Sequence, residues 1–274
     1  MPKFTQIDVF TDELTLGNPL AVVHDADRLA DERLAAFARW TNLSETTFLL
    51  PPSDPAADYR VRIFTPGGEL PFAGHPTLGS ARAWLAAGGV PKAGHLVQEC
   101  GAGLVRVRRD EQDRLAFAAP PLRRSGPVDD ADLAVVKRGL HLADADVLGA
   151  AWADNGPGWV ALLLRDAATV LAIEPDFAAL GRFKVGVAGE QPAGAETAFE
   201  VRAFSDTVED PVTGSLNAAL GQWLIGDGIA PESYVAAQGT RLGRRGRVHV
   251  RRDGEDVWVG GDTVVGIRGE VDLW

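Results

Sequence analysis

The sequence overlays on itself when it is shifted by 140 positions. The stretch Val61-Arg-Ile-Phe-Thr-Pro-Gly-Gly-Glu-Leu-Pro-Phe-Ala-Gly-His75 falls on Val201-Arg-Ala-Phe-Ser-Asp-Thr-Val-Glu-Asp-Pro-Val-Thr-Gly-Ser215. Val61, Arg62, Phe64, Glu69, Pro71 and Gly74 meet Val201, Arg202, Phe204, Glu209, Pro211 and Gly214, and the register persists to Gly88 and Pro91 against Gly228 and Pro231. Each copy reads as a strand, a Gly/Pro-rich loop and the start of a helix rich in small residues. Solenoid units run roughly 20–50 residues, so this spacing is too long for a repeat array and fits two similar lobes. Each copy also sets a helix N-terminus beside a close-approach glycine, an arrangement suited to anionic groups. The expectation is a ligand site in the cleft between the lobes.

The order of elements repeats as well. Residues 4–10 alternate as a strand, and the turn at Gly17-Asn-Pro19 feeds a more buried one. Residues 29–40 place Leu29, Leu34, Phe37 and Ala38 at helical spacing. Glu45 then stands at the entry of a strand ending near Leu50, and residues 51–58 form a surface loop. The repeated segment follows, with its helix over about residues 76–87. Residues 96–107 and 115–118 read as a hairpin turning at residues 109–113. Residues 119–127 have linker composition and mark the lobe boundary, giving a first lobe of residues 1–120 and a second of residues 121–261. In the second lobe, residues 132–140 read as a helix, 159–164 as a buried strand and 171–180 as a short helix.

Composition excludes several functions. A net charge of −11 is wrong for binding nucleic acid, which needs clustered Lys and Arg. The one cysteine, Cys100, excludes an intrachain disulfide framework and a Cys-based zinc site, and suits a cytoplasmic protein. The N-terminus lacks the basic-then-apolar pattern of a signal peptide, and no apolar run reaches the length of a membrane span. The glycine-rich loops match neither a P-loop nor a dinucleotide fingerprint. The five histidines show no metal-binding spacing, and there is no G-x-S-x-G elbow. What remains is acid/base chemistry by carboxylates and a histidine.

Three sets of residues could carry it. Glu45, between Asn42-Leu-Ser44 and an apolar strand, could be partly desolvated and tuned for proton transfer, or be a plain loop carboxylate. His75 follows Gly74 and could donate to an anion beside the helix-end amides, or cap its own helix. Asp210 could pair with a substrate amine or with His75, while Ser215 and Gly214 could hold a carboxylate. The plainer reading of Asp210 and Ser215 is helix N-capping.

Six segments together resemble the PhzF-type isomerases of phenazine biosynthesis, relatives of diaminopimelate epimerase. They are Gln6-Ile-Asp-Val-Phe10, Gly17-Asn-Pro-Leu-Ala-Val22, Asn42-Leu-Ser-Glu45, Phe72-Ala-Gly-His-Pro-Thr-Leu-Gly79, Glu209-Asp-Pro-Val-Thr-Gly-Ser215 and Gln238-Gly-Thr-Arg-Leu-Gly-Arg244. The resemblance covers nearly the whole chain. It implies an α+β, diaminopimelate epimerase-like fold of two pseudo-symmetric lobes, each a curved, barrel-like sheet around a central helix. In that fold the C-terminal strand, residues 262–274, returns to the first lobe. It implies a cofactor-free isomerase that moves a double bond in a small cyclic amino acid, as in trans-2,3-dihydro-3-hydroxyanthranilate. Glu45 occupies the proton-shuttling position. His75, Asp210 and Ser215 occupy positions that bind and polarise the substrate, with Ser44, Asn18 and the Gly74 and Gly214 amides nearby. The implied partners are a substrate bearing a carboxylate and a second copy of the chain, as a homodimer. The epimerase relatives use two thiols; the matching positions here are Ala73 and Thr213, so two-thiol racemisation is not available. Other readings of the same fold are a non-catalytic binding or scaffold protein, a racemase, or a lyase.

Overall fold

The computed structural model describes residues 1–205 and 207–273. The chain divides into two compact units, one of residues 1–118 with 260–274 and one of residues 119–259.

The first unit begins with β1 (Lys3–Val9), β2 (Asn18–Val23), α1 (Asp31–Thr41), β3 (Thr46–Leu50), β4 (Tyr59–Thr65) and β5 (Gly68–Leu70). It continues with α2 (Gly74–Ala86), β6 (Leu96–Cys100), β7 (Gly103–Arg109) and β8 (Leu115–Ala118). The second unit contains β9 (Arg124–Pro127), α3 (Asp130–Gly139), β10 (Val147–Asp154), β11 (Trp159–Leu164), α4 (Ala167–Ala172) and α5 (Phe177–Leu180). After these come β12 (Lys184–Glu190), β13 (Phe199–Ser205), β14 (Val208–Asp210), α6 (Gly214–Gly226), β15 (Ser233–Gln238) and β16 (Gly246–Asp253). The boundary back to the first unit falls within β17 (Asp256–Gly261), and β18 (Thr263–Glu270) follows. Trp274, the end of the expected C-terminal strand, lies outside the described residues.

Both units follow one pairing scheme. In the first, β1–β2 is antiparallel, β2–β3 parallel, β3–β4 antiparallel, β4–β6 parallel and β6–β7 antiparallel. In the second, β10–β11, β11–β12, β12–β13, β13–β15 and β15–β16 repeat those senses in order. The short strands β5 and β14 sit on β4 and β13 in matching register, Phe64 opposite Glu69 and Phe204 opposite Glu209. The correspondence has one twist. β9 pairs with β10 at the start of the second unit, whereas the strand beside β1 is β18, Lys3 lying opposite Glu270.

Alternating apolar residues explain strands such as β16, and continuous apolar runs the buried ones such as β11, but the two central helices have another pattern. Helix α2 packs on β1, β2, β3, β4, β6, β8 and β18. Its residues from Gly74 to Ala81 are all buried, so no polar face is left for water. Small residues make this possible, because a Cβ on Gly79 would meet Leu20 Cδ2 at 2.5 Å. In α6 the close approach moves to Gly221, whose added Cβ would lie 2.6 Å from Val250 Cγ1. No helix among the described residues is long and apolar enough to cross a membrane.

Three segments depart from the sequence reading. Residues 96–107 are not one strand: β6 and β7 form a hairpin turning at Gly101-Ala102, with Gly103 at φ +100°. Glycines inside an alternating run marked the turn. The linker-like stretch contains β9, an exposed strand in which Gly126 and Pro127 are tolerated. The helical pattern at residues 171–180 is two helices broken around Pro175, with Asp166 and Asp176 accepting from Thr169 N and Ala179 N at their starts.

Candidate active site

In the first unit, α1 ends at Asn42, whose left-handed backbone (φ 54°) turns the chain toward β3. A hydroxyl pair, Thr41 Oγ1 and Thr46 Oγ1 at 2.8 Å, braces the turn that carries Ser44 and Glu45. Ser44 is exposed and Glu45 is half-buried. His75, the second residue of α2, is buried, and its Nε2 lies 3.5 Å from Glu45 Oε2. Burial pushes the imidazole down to about 3, so it is neutral at neutral pH. The contact is therefore a carboxylate against a neutral ring, not an ion pair, and is longer than a strong hydrogen bond. A neutral imidazole still offers one N–H donor.

The N-cap of α2 is Ala73, which has no side chain to cap the helix, and Gly74 is the first helical residue. His75 therefore faces Glu45 instead of capping its own helix. Asn18 opens β2 and is fully buried. Its turn is fixed by Gly17 N donating to Asp8 Oδ2 at 3.2 Å. Gly17 is required there, since an added Cβ would lie 2.3 Å from Val9 O.

In the second unit, Asp210 closes β14, and Thr213 Oγ1 donates to its Oδ2 at 2.6 Å. Thr213 is the N-cap of α6 and does not cap it with its side chain; Gly214 and Ser215 are the first two helical residues. Ser215 is held from β10–β11. Trp159 Nε1 donates to Ser215 Oγ at 3.1 Å, and Asn155 Nδ2 donates to Ser215 O at 2.9 Å. An indole N–H can only donate, so the Ser215 hydroxyl accepts from Trp159 and keeps its own proton to give elsewhere. Donation of that kind, beside the helix-end amides, suits an anionic or carbonyl oxygen.

Sequence reasoning did not single out Trp159 or Asn155. A signal was present, since Trp159 opens β11 as Asn18 opens β2 in the first unit. The structure thus groups Glu45, His75 and Gly74 in one unit, and Asp210, Gly214 and Ser215 in the other. Among the described residues, no group of three or more His, Cys, Asp or Glu could hold a metal ion. Cys100 is buried in β6, where desolvation pushes its thiol up, away from reactivity.

Comparison with known proteins places the chain in a family. The family model described as phenazine biosynthesis-like protein matches residues 7–269. A trans-2,3-dihydro-3-hydroxyanthranilate isomerase of Pseudomonas aeruginosa is 35% identical, covering 93% of this chain and 91% of the relative. "Antisense-enhancing sequence 1" of Schizosaccharomyces pombe is 36% identical, covering 98% of both. A crystal structure of a PhzF family phenazine biosynthesis protein from Enterococcus faecalis superposes with TM-score 0.82 at 25% identity, covering 99% of each chain. The fold is diaminopimelate epimerase-like, and the chain belongs to the phenazine biosynthesis-like family, among the isomerases of the PhzF type.

Proposed function

We propose that the protein moves a proton, and with it a double bond, in a small cyclic amino acid of the trans-2,3-dihydro-3-hydroxyanthranilate kind, with Glu45 as the single acid/base and no cofactor. The observation that carries this reading is the placement of Glu45 Oε2 3.5 Å from the neutral, buried ring of His75, beside the uncapped start of α2. A carboxylate so placed can take a proton from one ring carbon and return it to another without metal or redox help. His75 polarises the substrate as a neutral donor, which avoids placing a second charge beside the shuttling carboxylate. Asp210 takes a polar group of the substrate. Ser215 and the Gly214 amide take its carboxylate, and Ser44, Asn18 and the Gly74 amide complete the binding set. The named activity of the Pseudomonas aeruginosa relative supports the substrate class. The protein would work in phenazine-like secondary metabolism, in the cytoplasm, as a homodimer.

The test is proton NMR of the wild type and Glu45→Gln with trans-2,3-dihydro-3-hydroxyanthranilate in D2O. The wild type should consume the compound, with deuterium appearing at the carbon that regains a proton, and Glu45→Gln should be slower by at least about 100-fold. Equal rates in the two proteins would remove Glu45 from the mechanism. No turnover by either would remove this substrate.

A further inference from the structure

The 140-position offset also relates Gln98 to Gln238 and Thr77 to Asn217. Both glutamines are fully buried. Their contacts differ. Gln98 stays inside the first unit's core, with Nε2 donating to Thr77 Oγ1 at 2.9 Å and Oε1 accepting from Tyr59 OH at 3.2 Å. Gln238 reaches the loop that leads into α6. Its Oε1 accepts from Thr213 N at 3.0 Å and Asn217 Nδ2 at 2.8 Å. Its Nε2 donates to Asp210 O at 3.2 Å and Thr213 Oγ1 at 2.9 Å.

Two of these partners are backbone groups, and they fix which way the amide points. Thr213 N–H can only donate, so the atom facing it is the oxygen; Asp210 C=O can only accept, so the atom facing it is the nitrogen. Asn217 is fixed in the same way, because its Nδ2 also donates to Thr213 O at 2.9 Å. The Thr213 hydroxyl therefore receives a hydrogen from Gln238. Its own single proton then goes to Asp210 Oδ2, 2.6 Å away. All four hydrogen-bonding positions of the Gln238 amide are used, and polarity runs one way, from Gln238 through Thr213 to Asp210.

We propose that Gln238 and Thr213 are positioning residues for Asp210, holding its carboxylate as an acceptor with Oδ2 already committed, so that one rotamer is presented to the substrate. This rests on the reading of Asp210 as a substrate-binding group. Gln238 acts without touching the substrate, by fixing both the Asp210 main chain and the Thr213 hydroxyl.

The test compares Thr213→Val, which keeps the shape and the backbone N–H but loses the hydroxyl, with Thr213→Ser, which keeps it. The first readout needs no activity: carbon NMR of the protein labelled at aspartate carboxyls, with the Asp210 signal assigned by its loss in Asp210→Asn. Thr213→Val should move that signal and Thr213→Ser should leave it near the wild-type position. The second readout is kcat and KM for the isomerisation, where Thr213→Val should lower kcat about tenfold or more and Thr213→Ser should restore it. A signal unmoved in Thr213→Val overturns the relay whatever the kinetics. A moved signal in a protein that isomerises nothing leaves the relay standing and sinks the isomerase reading instead. Should Thr213→Val not fold, Gln238→Glu removes the donor to Thr213 Oγ1 while retaining the acceptor for Thr213 N, and the same signal is read.

Discussion

The duplicated arginines give a stability experiment with its own internal control. Arg62 and Arg202 each make a two-pronged bond to a glutamate on the next short strand: Nε to Glu69 at 2.8 Å and to Glu209 at 3.0 Å, and the second prong at 2.7 Å in both. Each guanidinium lies over a phenylalanine two residues on, at 5.1 and 4.9 Å. The surroundings differ. The Arg62–Glu69 side chains are 18% and 42% exposed, and the Arg202–Glu209 side chains 3% and 9%. Arg62 Nη1 turns outward to Asp31, whereas Arg202 Nη1 donates to Val170 O and Ile173 O at the end of α4. Removing Arg202 therefore strands a buried carboxylate and takes a donor from two carbonyls, a loss of about 3–5 kcal/mol. Removing Arg62 leaves groups that water can reach, a loss of about 1 kcal/mol or less. Arg62→Met and Arg202→Met, compared by urea unfolding followed with circular dichroism, should differ by about 3 kcal/mol. With a slope of about 3 kcal/mol per molar urea, the midpoints would lie about 1 M apart. The double variant Arg202→Met/Glu209→Leu should be more stable than Arg202→Met alone, since no uncompensated charge remains. Equal midpoints for the two single variants would refute the reasoning, because the bond to the glutamate is the same and only burial and the Nη1 partners separate the sites.

Two further outcomes follow from the site. Burial lowers the folded-state pKa of His75 to about 3 and lowers that of His24 as well, so the unfolded chain binds more protons than the folded one as the pH falls below about 6.5. Stability should therefore decrease on acidification, by about 2 kcal/mol from His75 alone between pH 7 and pH 5, and His75→Asn should flatten the curve measured by urea unfolding at several pH values. Gly17→Ala should cost about 1–3 kcal/mol in calorimetry, because the new Cβ meets the Val9 carbonyl and the backbone must shift. The same shift displaces Asn18, so KM should rise; an unaltered KM would remove Asn18 from the binding set.

Much of this was legible in the sequence because a duplication fixes equivalences without any knowledge of contacts. Strands β4 and β13, and helices α2 and α6, lie 140 positions apart at both ends. Burial differences between equivalent residues were not legible. Arg62 and Arg202 read identically until α4 is seen to lay its carbonyls over the second. The placement of Glu45 near His75 depends on a left-handed residue at Asn42, which local propensity permits but does not demand. Gln238 was visible within its motif. Its partners were not, because only the parallel pairing of β15 with β13 brings it beside Thr213.

The pairing of β18 with β1 bears on how the protein is made. A ribosome releases Lys3 long before Glu270, yet these two residues face each other in the finished sheet. Residues 1–118 emerge with one flank of β1 lacking its eventual neighbour. At roughly 5–20 residues per second, about 10–30 s pass before residues 263–270 arrive to cover it. During that interval the nascent chain carries an open strand edge, the kind of surface on which stray pairing and aggregation begin. Loss of residues 263–270 would make that transient state permanent, so nonsense or frameshift changes ahead of codon 263 should be as damaging to solubility as changes in the core.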